Sequence, residues 1–290
     1  MEIKKDLEKL KSEKTIQELL EFSILNIEKP SGPTSFGVVE IVKKELEAKK
    51  VCHFGTLDPR VTGVLPLALN RACRLATWFM KKDKEYVGIM KLHKDVEEKK
   101  LKEEIVNFTG KIIQKPPVRS RVKRVERERK IYSFEILEKE GKEVLFKLKC
   151  EAGTYVRKIC HDLGLKIGGA HMTELRRTKA GIFSENDKEF VNLYEFEKAV
   201  DEYKKGNEEN LRKILIPGEV ISKIIPVIQV KQDSLNKLLI GKPIFKEDIV
   251  EEVEGKEKES IAIFCGDRFV EIARLVKEGN IVAKPEFVLS

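Results

Sequence analysis

Apolar positions along the chain change their spacing in a way that separates a long mixed region from a short β-rich end. Over residues 2 to 20, Leu and Ile recur at roughly helical spacing among many Lys and Glu, which predicts a solvent-facing amphipathic helix. A strand is expected at Ser23–Ile27, followed by a helix that turns Val38, Val39, Val42 and Leu46 inward, with Ser35 placed to cap it. Strands are predicted at 64–69 and 84–93, with a helix over Asn70–Phe79 between them and another helix near 97–107. Tyr132, Phe134 and Ile136 form one face of a strand, and Val144, Phe146, Leu148 and Cys150 one face of the next, with Gly141 at the hairpin turn. The spacing of Val156, Ile159, Cys160, Leu163 and Ile167 predicts a helix over 154–167 that stops at Gly168-Gly169. Helices near 192–204 and 207–214 close this region, and Pro217-Gly218 with Pro226 mark a boundary. Beyond it, β runs at Val227–Val230, Ile261–Cys265, Arg268–Leu275 and Asn280–Ala283 alternate with turns, the pattern of a small barrel-like domain. The reading is an α/β (α+β) chain with a helical extension over 1–20, a main domain over 21–217 and a terminal domain over 222–290.

Composition narrows the function classes. Of the 290 residues 37% are charged, no apolar run reaches the ~20 residues that span a bilayer, and the first residues are charged, so a cytoplasmic protein away from membranes is expected. Lys and Arg number 57 against 49 Asp and Glu, a net +8 whose meaning depends on clustering. It is clustered: Arg119, Arg121, Lys123, Arg124, Arg127, Arg129 and Lys130 face only Glu126 and Glu128 in one stretch, and Arg176, Arg177 and Lys179 form a second. Such stretches suit a phosphate backbone. The five cysteines contain no C-x-x-C pair, and adjacent Cys160 and His161 point to different helix faces, which disfavours a metal centre. Phosphate-binding glycine loops and zinc-deaminase signatures are also missing from the sequence.

What remains is an acid in a loop that Gly and Pro keep irregular, Gly55-Thr56-Leu57-Asp58-Pro59-Arg60-Val61-Thr62-Gly63. With Val64-Leu65-Pro66 after it, this string resembles the catalytic motif of TruB-type pseudouridine synthases. Four more segments resemble that family in the same order: Lys29-Pro30-Ser31-Gly32-Pro33-Thr34-Ser35, Lys84-Glu85-Tyr86, Gly153-Thr154-Tyr155-Val156-Arg157, and Met172-Thr173-Glu174-Leu175-Arg176-Arg177-Thr178. The short run from Gln114-Lys115-Pro116-Pro117 into Ile131-Tyr132 is similar to the dyskerin-like, guide-RNA-dependent branch of archaea and eukaryotes, and residues from about 222 resemble a PUA domain. Departures from the family pattern are Cys52 and Phe54 where small residues are usual, Phe36 where this branch commonly has His, and Arg121 where Ala is usual.

The resemblance implies a catalytic fold built on a mixed, largely antiparallel sheet with flanking helices, no metal or other cofactor, and H/ACA guide RNA, substrate RNA and small accessory proteins as partners. It also implies site residues. Asp58 would act at C1′ of a flipped-out uridine, by attack or by assisting elimination, with Arg157 as its ion-pair partner. Tyr86 would stack on the base and its hydroxyl would move a proton; His53 would fill the space the base leaves; Leu175 would pack the pocket and Lys29 would brace the loop. Two alternatives stay open at this point: a stand-alone tRNA pseudouridine synthase, and a non-catalytic RNA-binding scaffold.

Overall fold

The structure, a computed structural model, describes residues 6–116, 122–251 and 255–289. It divides into two compact units. One comprises Leu25–Leu67 and Ala76–Ile214; the other gathers the described residues up to Ile24, Ala68–Leu75 and those from Leu215 onward. Among the described residues no helix is long and apolar enough to cross a membrane.

The larger unit is built on a mixed sheet. Its strands are β1 (Ser23–Lys29), β2 (Thr62–Leu69), β3 (Lys84–Leu92), β4 (Gly110–Gln114), β5 (Arg127–Glu140), β6 (Glu143–Cys150), β7 (Ala170–Ala180) and β8 (Phe190–Asn192). The main path across the sheet is β8-β1-β2-β7-β3-β6-β5-β4. Pairing is parallel at β8–β1 and β2–β7 and antiparallel from β7 through β3, β6 and β5 to β4. On β6 the expected alternation holds: Val144, Phe146, Leu148 and Cys150 are all buried. Each large apolar side chain removed from water in this way contributes ~1.5–3 kcal/mol.

Flanking helices include α3 (Ser35–Glu45) and α5 (Val156–Ile167), taking α1 (Leu7–Glu13), α2 (Ile16–Glu21) and α4 (Glu98–Val106) in chain order. All five periodic residues of α5 are buried, and the helix ends at Gly168 in the left-handed conformation, whose N–H returns to the Gly164 carbonyl.

Local chemistry alters four expectations. The single N-terminal helix is two, because Thr15 and Glu18 form a capping box that starts α2 afresh. Thr34, not Ser35, caps α3, its side chain accepting from the Gly37 N–H. The helix expected over 70–79 begins as a 3-10 turn at Asn70–Leu75 and becomes α-helical only at Ala76–Met80. On β5 a register shift between Ile131 and Ser133 breaks the alternation, so Ile131 is buried while Tyr132 turns out and donates its hydroxyl to Asp83 at 3.0 Å.

In the second unit β9 (Val227–Gln229), β10 (Ile244–Phe245), β11 (Ser260–Cys265), β12 (Arg268–Glu278) and β13 (Ile281–Val288) pair in the order β9-β11-β12-β13-β10 around a core that includes Ile228, Leu238, Ile261, Ile263 and Val270. This is the small barrel-like PUA-type element. The N-terminal helices belong to the same unit: Lys9 pairs with Asp267 at 3.1 Å, Lys14 with Glu219 at 2.5 Å, and Phe22 stacks on Phe269 at 5.3 Å. On β12 Glu271 is fully buried with neither carboxylate oxygen hydrogen-bonded, and burial pushes its pKa up to about 8.

Candidate active site

The loop carrying Asp58 is pinned along its backbone while its carboxylate is left free to reach outward. Lys29, at the end of β1, is completely buried and donates all three ammonium protons to main-chain carbonyls: Pro30 at 2.8 Å, Pro59 at 2.9 Å and Val61 at 2.9 Å. Burial lowers its pKa, and the charge of Asp58 opposes that shift. Ser35 grips the other side of Asp58, accepting from the Leu57 N–H at 2.8 Å and facing the Leu57 carbonyl at 3.1 Å. The Gly32 N–H adds a bond to the Pro59 carbonyl at 3.0 Å.

A second buried cation ties the two ends of the loop together. Arg177 on β7 donates Nε to the Val64 carbonyl at 2.7 Å and Nη2 to the Gly55 carbonyl at 3.1 Å. Gly63 makes this approach possible: at φ +97° it lies against the backbone of Arg177, where a Cβ would sit 2.2 Å from the carbonyl oxygen. The assignment of Arg177 to an RNA surface is therefore corrected. It is 1% exposed and cannot meet a phosphate.

Asp58 and Arg157 form an ion pair through Oδ2 and Nη2, with side chains 52% and 56% exposed. Arg157 reaches it from the first turn of α5. Tyr86, on β3, lies opposite Arg177 on β7 and Leu148 on β6 and is nearly buried. Burial raises its phenol pKa while the neighbouring Arg177 guanidinium works against the rise. Leu175 packs from β7 opposite Gly88 on β3. His53 is half-buried and accepts from the Gly55 N–H at Nδ1, 3.3 Å away; burial and the charge of Arg177 hold its pKa below the usual value, so the ring is neutral near pH 7.

Phe54 turns away from this face. It is buried, stacked on Phe79 at 4.7 Å with an interplanar angle of 3° and tilted against Phe183 at 6.1 Å. A large residue beside the loop thus anchors it to the core. Lys84, the first residue of the K-x-Y strand, is also buried, bonded to the Met80 and Lys82 carbonyls, with its pKa lowered by burial to about 8.

The remaining basic residues divide. Arg119 and Arg121 lie outside the described residues. Lys123 and Arg124 are exposed, and Arg124 donates Nε to the Pro116 carbonyl at 3.3 Å. Lys179 is half-buried within β7. Arg176 pairs with Glu28 at 2.6 Å and Glu185 at 2.7 Å, with its side chain 37% exposed. Ser35 and Gln114, both buried, were not foreseen as parts of the site; the only sequence signal for Ser35 is its place in the K-P-S-G-P-T-S segment.

A fixed carboxylate open to solvent, an arginine paired with it and a nearly buried tyrosine opposite Arg177 suit chemistry at a sugar carbon, and the exposed basic residues suit a polyanion. The class is an RNA-modifying isomerase. Residues 43–156 match the TruB family pseudouridylate synthase N-terminal domain and residues 157–222 the tRNA pseudouridylate synthase B C-terminal domain, so the chain belongs to the TruB family of pseudouridine synthases, which convert uridine to pseudouridine in RNA. A relative from Methanopyrus kandleri, named "Probable tRNA pseudouridine synthase B", is 42% identical over 255 residues, covering 87% of this chain and 75% of the relative. A Pyrococcus abyssi protein of the same name is 45% identical over 227 residues, 77% of this chain and 67% of its own. Among solved structures, a chain of a Cbf5-Nop10-Gar1 complex superposes with a TM-score of 0.89 at 38% identity over 97% of this chain and 88% of that one. A chain of an H/ACA particle bound to a substrate RNA containing 2′-deoxyuridine superposes with a TM-score of 0.87 at 35% identity, over 97% and 89%.

Proposed function

We propose that this chain is the catalytic subunit of an H/ACA-type guide-RNA particle, isomerising a flipped-out uridine to pseudouridine in rRNA or tRNA with guide RNA and small accessory proteins as partners. The observation that carries the reading is the likeness, over 97% of the chain, to structures of a Cbf5-Nop10-Gar1 complex and of an H/ACA particle holding substrate RNA. Asp58 acts at C1′ as the N1–C1′ bond breaks, by direct attack or by assisting elimination. The base turns, C5 joins C1′, and the proton displaced from C5 leaves while N1 gains one. Arg157 orients the carboxylate; Tyr86 stacks on the base and its hydroxyl, beside Arg177, handles the C5 proton. Lys123 and Arg124 contact the RNA backbone, Leu175 packs the base pocket, and His53 occupies the place the uridine vacates. The terminal domain over 222–290 anchors guide RNA at a second site.

A second reading, a stand-alone tRNA enzyme, is favoured by the name its curated relatives carry, tRNA pseudouridine synthase B. Pseudouridine mapping decides between them. Protein, accessory subunits and rRNA fragments are incubated with and without a complementary guide RNA, alongside unmodified tRNA. Modification that requires the guide supports the proposal; equal modification of tRNA and rRNA without any guide overturns it.

A further inference from the structure

Arg157 reaches Asp58 from the second residue of α5, and the start of that helix is fixed from outside. Tyr155, at its N-cap position, makes no side-chain capping bond. Gln114, the last residue of β4 and 3% exposed, closes a two-bond ring with it instead: the Tyr155 N–H donates to Oε1 at 3.0 Å, and Nε2 donates to the Tyr155 carbonyl at 3.2 Å. The carboxamide serves both bonds because it donates and accepts at once. A carboxylate would keep the first bond and lose the second, and a thioether would lose both.

β5 grips the same turn. The Lys130 N–H donates to the Glu151 side chain at 3.1 Å and the Glu151 N–H returns to the Lys130 carbonyl at 2.8 Å. The Arg129 guanidinium lies over Gly153, which has φ +81° and would place a Cβ 3.2 Å from Nη2. In sequence the basic stretch begins between these two strands and continues into β5, and Gln114 is the register partner of Arg127 where they pair. One residue therefore stands both at the root of the basic stretch and at the turn that aims Arg157.

We propose that Gln114 is a positioning residue for the isomerisation, holding Arg157 toward Asp58 through its clamp on Tyr155 at the start of α5. The inference rests on the roles given above to Asp58 and Arg157. Its signature is an effect on the chemical step that passes entirely through Arg157.

The test is a double-mutant cycle in single-turnover pseudouridine formation, run with the full chain on guided RNA and on free tRNA, together with RNA binding and thermal denaturation. Gln114→Met is expected to slow the chemical step ~10-fold or more, as small misplacements of a catalytic group do, with RNA affinity within ~2-fold of wild type. Gln114→Glu, keeping the acceptor toward the Tyr155 N–H, is expected to fall between the two. In an Arg157→Ala background Gln114→Met should change the rate less than ~2-fold, because the group it positions is gone. A Gln114→Met rate equal to wild type, losses that multiply with Arg157→Ala, or a fall in affinity that accounts for the rate would each overturn the proposal. Should Gln114→Met fail to fold, Gln114→Glu carries the same cycle. Wild-type turnover of tRNA alone would sink the guide reading while leaving the cycle to be read on tRNA, so the two failures are distinct.

Discussion

Replacing Lys29 by Met removes a cation and leaves a side chain of similar length, which isolates what the ammonium does. Its three bonds end on the carbonyls of Pro30, Pro59 and Val61. Pro59 keeps the Gly32 N–H as a donor, so the Pro30 and Val61 carbonyls bear the loss. The Val61 bond is buried, so its acceptor stripped of a donor costs ~1–3 kcal/mol, whereas the Pro30 bond is part-buried and costs less, and relief of the buried charge offsets part of this. The expected net loss is about 2 kcal/mol, a fall in melting temperature of roughly 4–8 °C for a unit of this size. The second consequence is chemical: Val61 and Pro59 flank Asp58, and a displacement of the carboxylate by about 1 Å lowers the rate of its step ~100-fold. Thermal denaturation and single-turnover modification of one RNA, with binding measured separately, read both effects. A Lys29→Met protein that melts within 2 °C of wild type, roughly the effect of half a kcal/mol, and turns over at an equal rate would refute the claim that this lysine holds the loop.

Asp58→Asn should abolish pseudouridine formation, read by mapping, while leaving RNA affinity within a few fold, since a neutral amide cannot act at C1′. Tyr86→Phe should bind RNA normally and lose rate if the hydroxyl handles the C5 proton; an unchanged rate leaves the ring as a stacking surface only. Lys84 holds a folded pKa of about 8 against an ordinary 10.5, so from pH 8 to 10.5 the unfolded chain binds more protons and stability rises with pH. Urea denaturation should show wild type gaining on Lys84→Met by at most about 3 kcal/mol across that window. Glu271 has the opposite sign: its pKa is raised from 4.5 to about 8, so the folded chain binds more protons between those values and stability falls as pH climbs through them. Glu271→Gln should gain on wild type by about 4 kcal/mol between pH 5 and pH 8, and parallel pH profiles for the two would contradict the burial argument.

Much of the site was legible because glycine and proline confine the chain wherever they occur. Gly55 and Pro59 keep the chain around Asp58 out of helix and strand, although Gly63 already lies in β2, and strict alternation gave β6 its buried face. The N-terminal segment was read as one helix although Thr15-x-x-Glu18, the capping signature that divides it, stood within the amphipathic pattern. Arg177 was misread because its neighbours Arg176 and Lys179 made a charged surface the natural inference. Parity held the better clue: Arg177 is two residues from buried Leu175 on one strand and so shares its inward face. Tyr132 carried no such clue, because one extra residue in a strand reverses its facing and no local composition announces it. Gln114 was equally silent, since its partners are backbone atoms 41 residues away.

The choice of groups that hold the loop follows from what the loop must present. Among the described residues neither Lys29 nor Arg177 forms an ion pair; both spend their charge on neutral carbonyls of the segment from Gly55 to Val64 and its neighbour Pro30. Carboxylates placed beside them would have met the cations more strongly but added negative charge next to Asp58, and like charges at short range suppress ionisation. Carbonyl partners avoid this, and Asp58 raises the ammonium it faces rather than competing with a second acid. The cost is two desolvated cations, which the fold tolerates because every proton of Lys29 is bonded and the Arg177 donors reach both ends of the loop. Lys29→Arg is the sharpest check, because a planar guanidinium preserves the charge but cannot direct three donors to the same three carbonyls. Its rate should fall nearly as far as that of Lys29→Met, whereas a wild-type rate would mean that charge alone, and not the bonded geometry, keeps Asp58 in place.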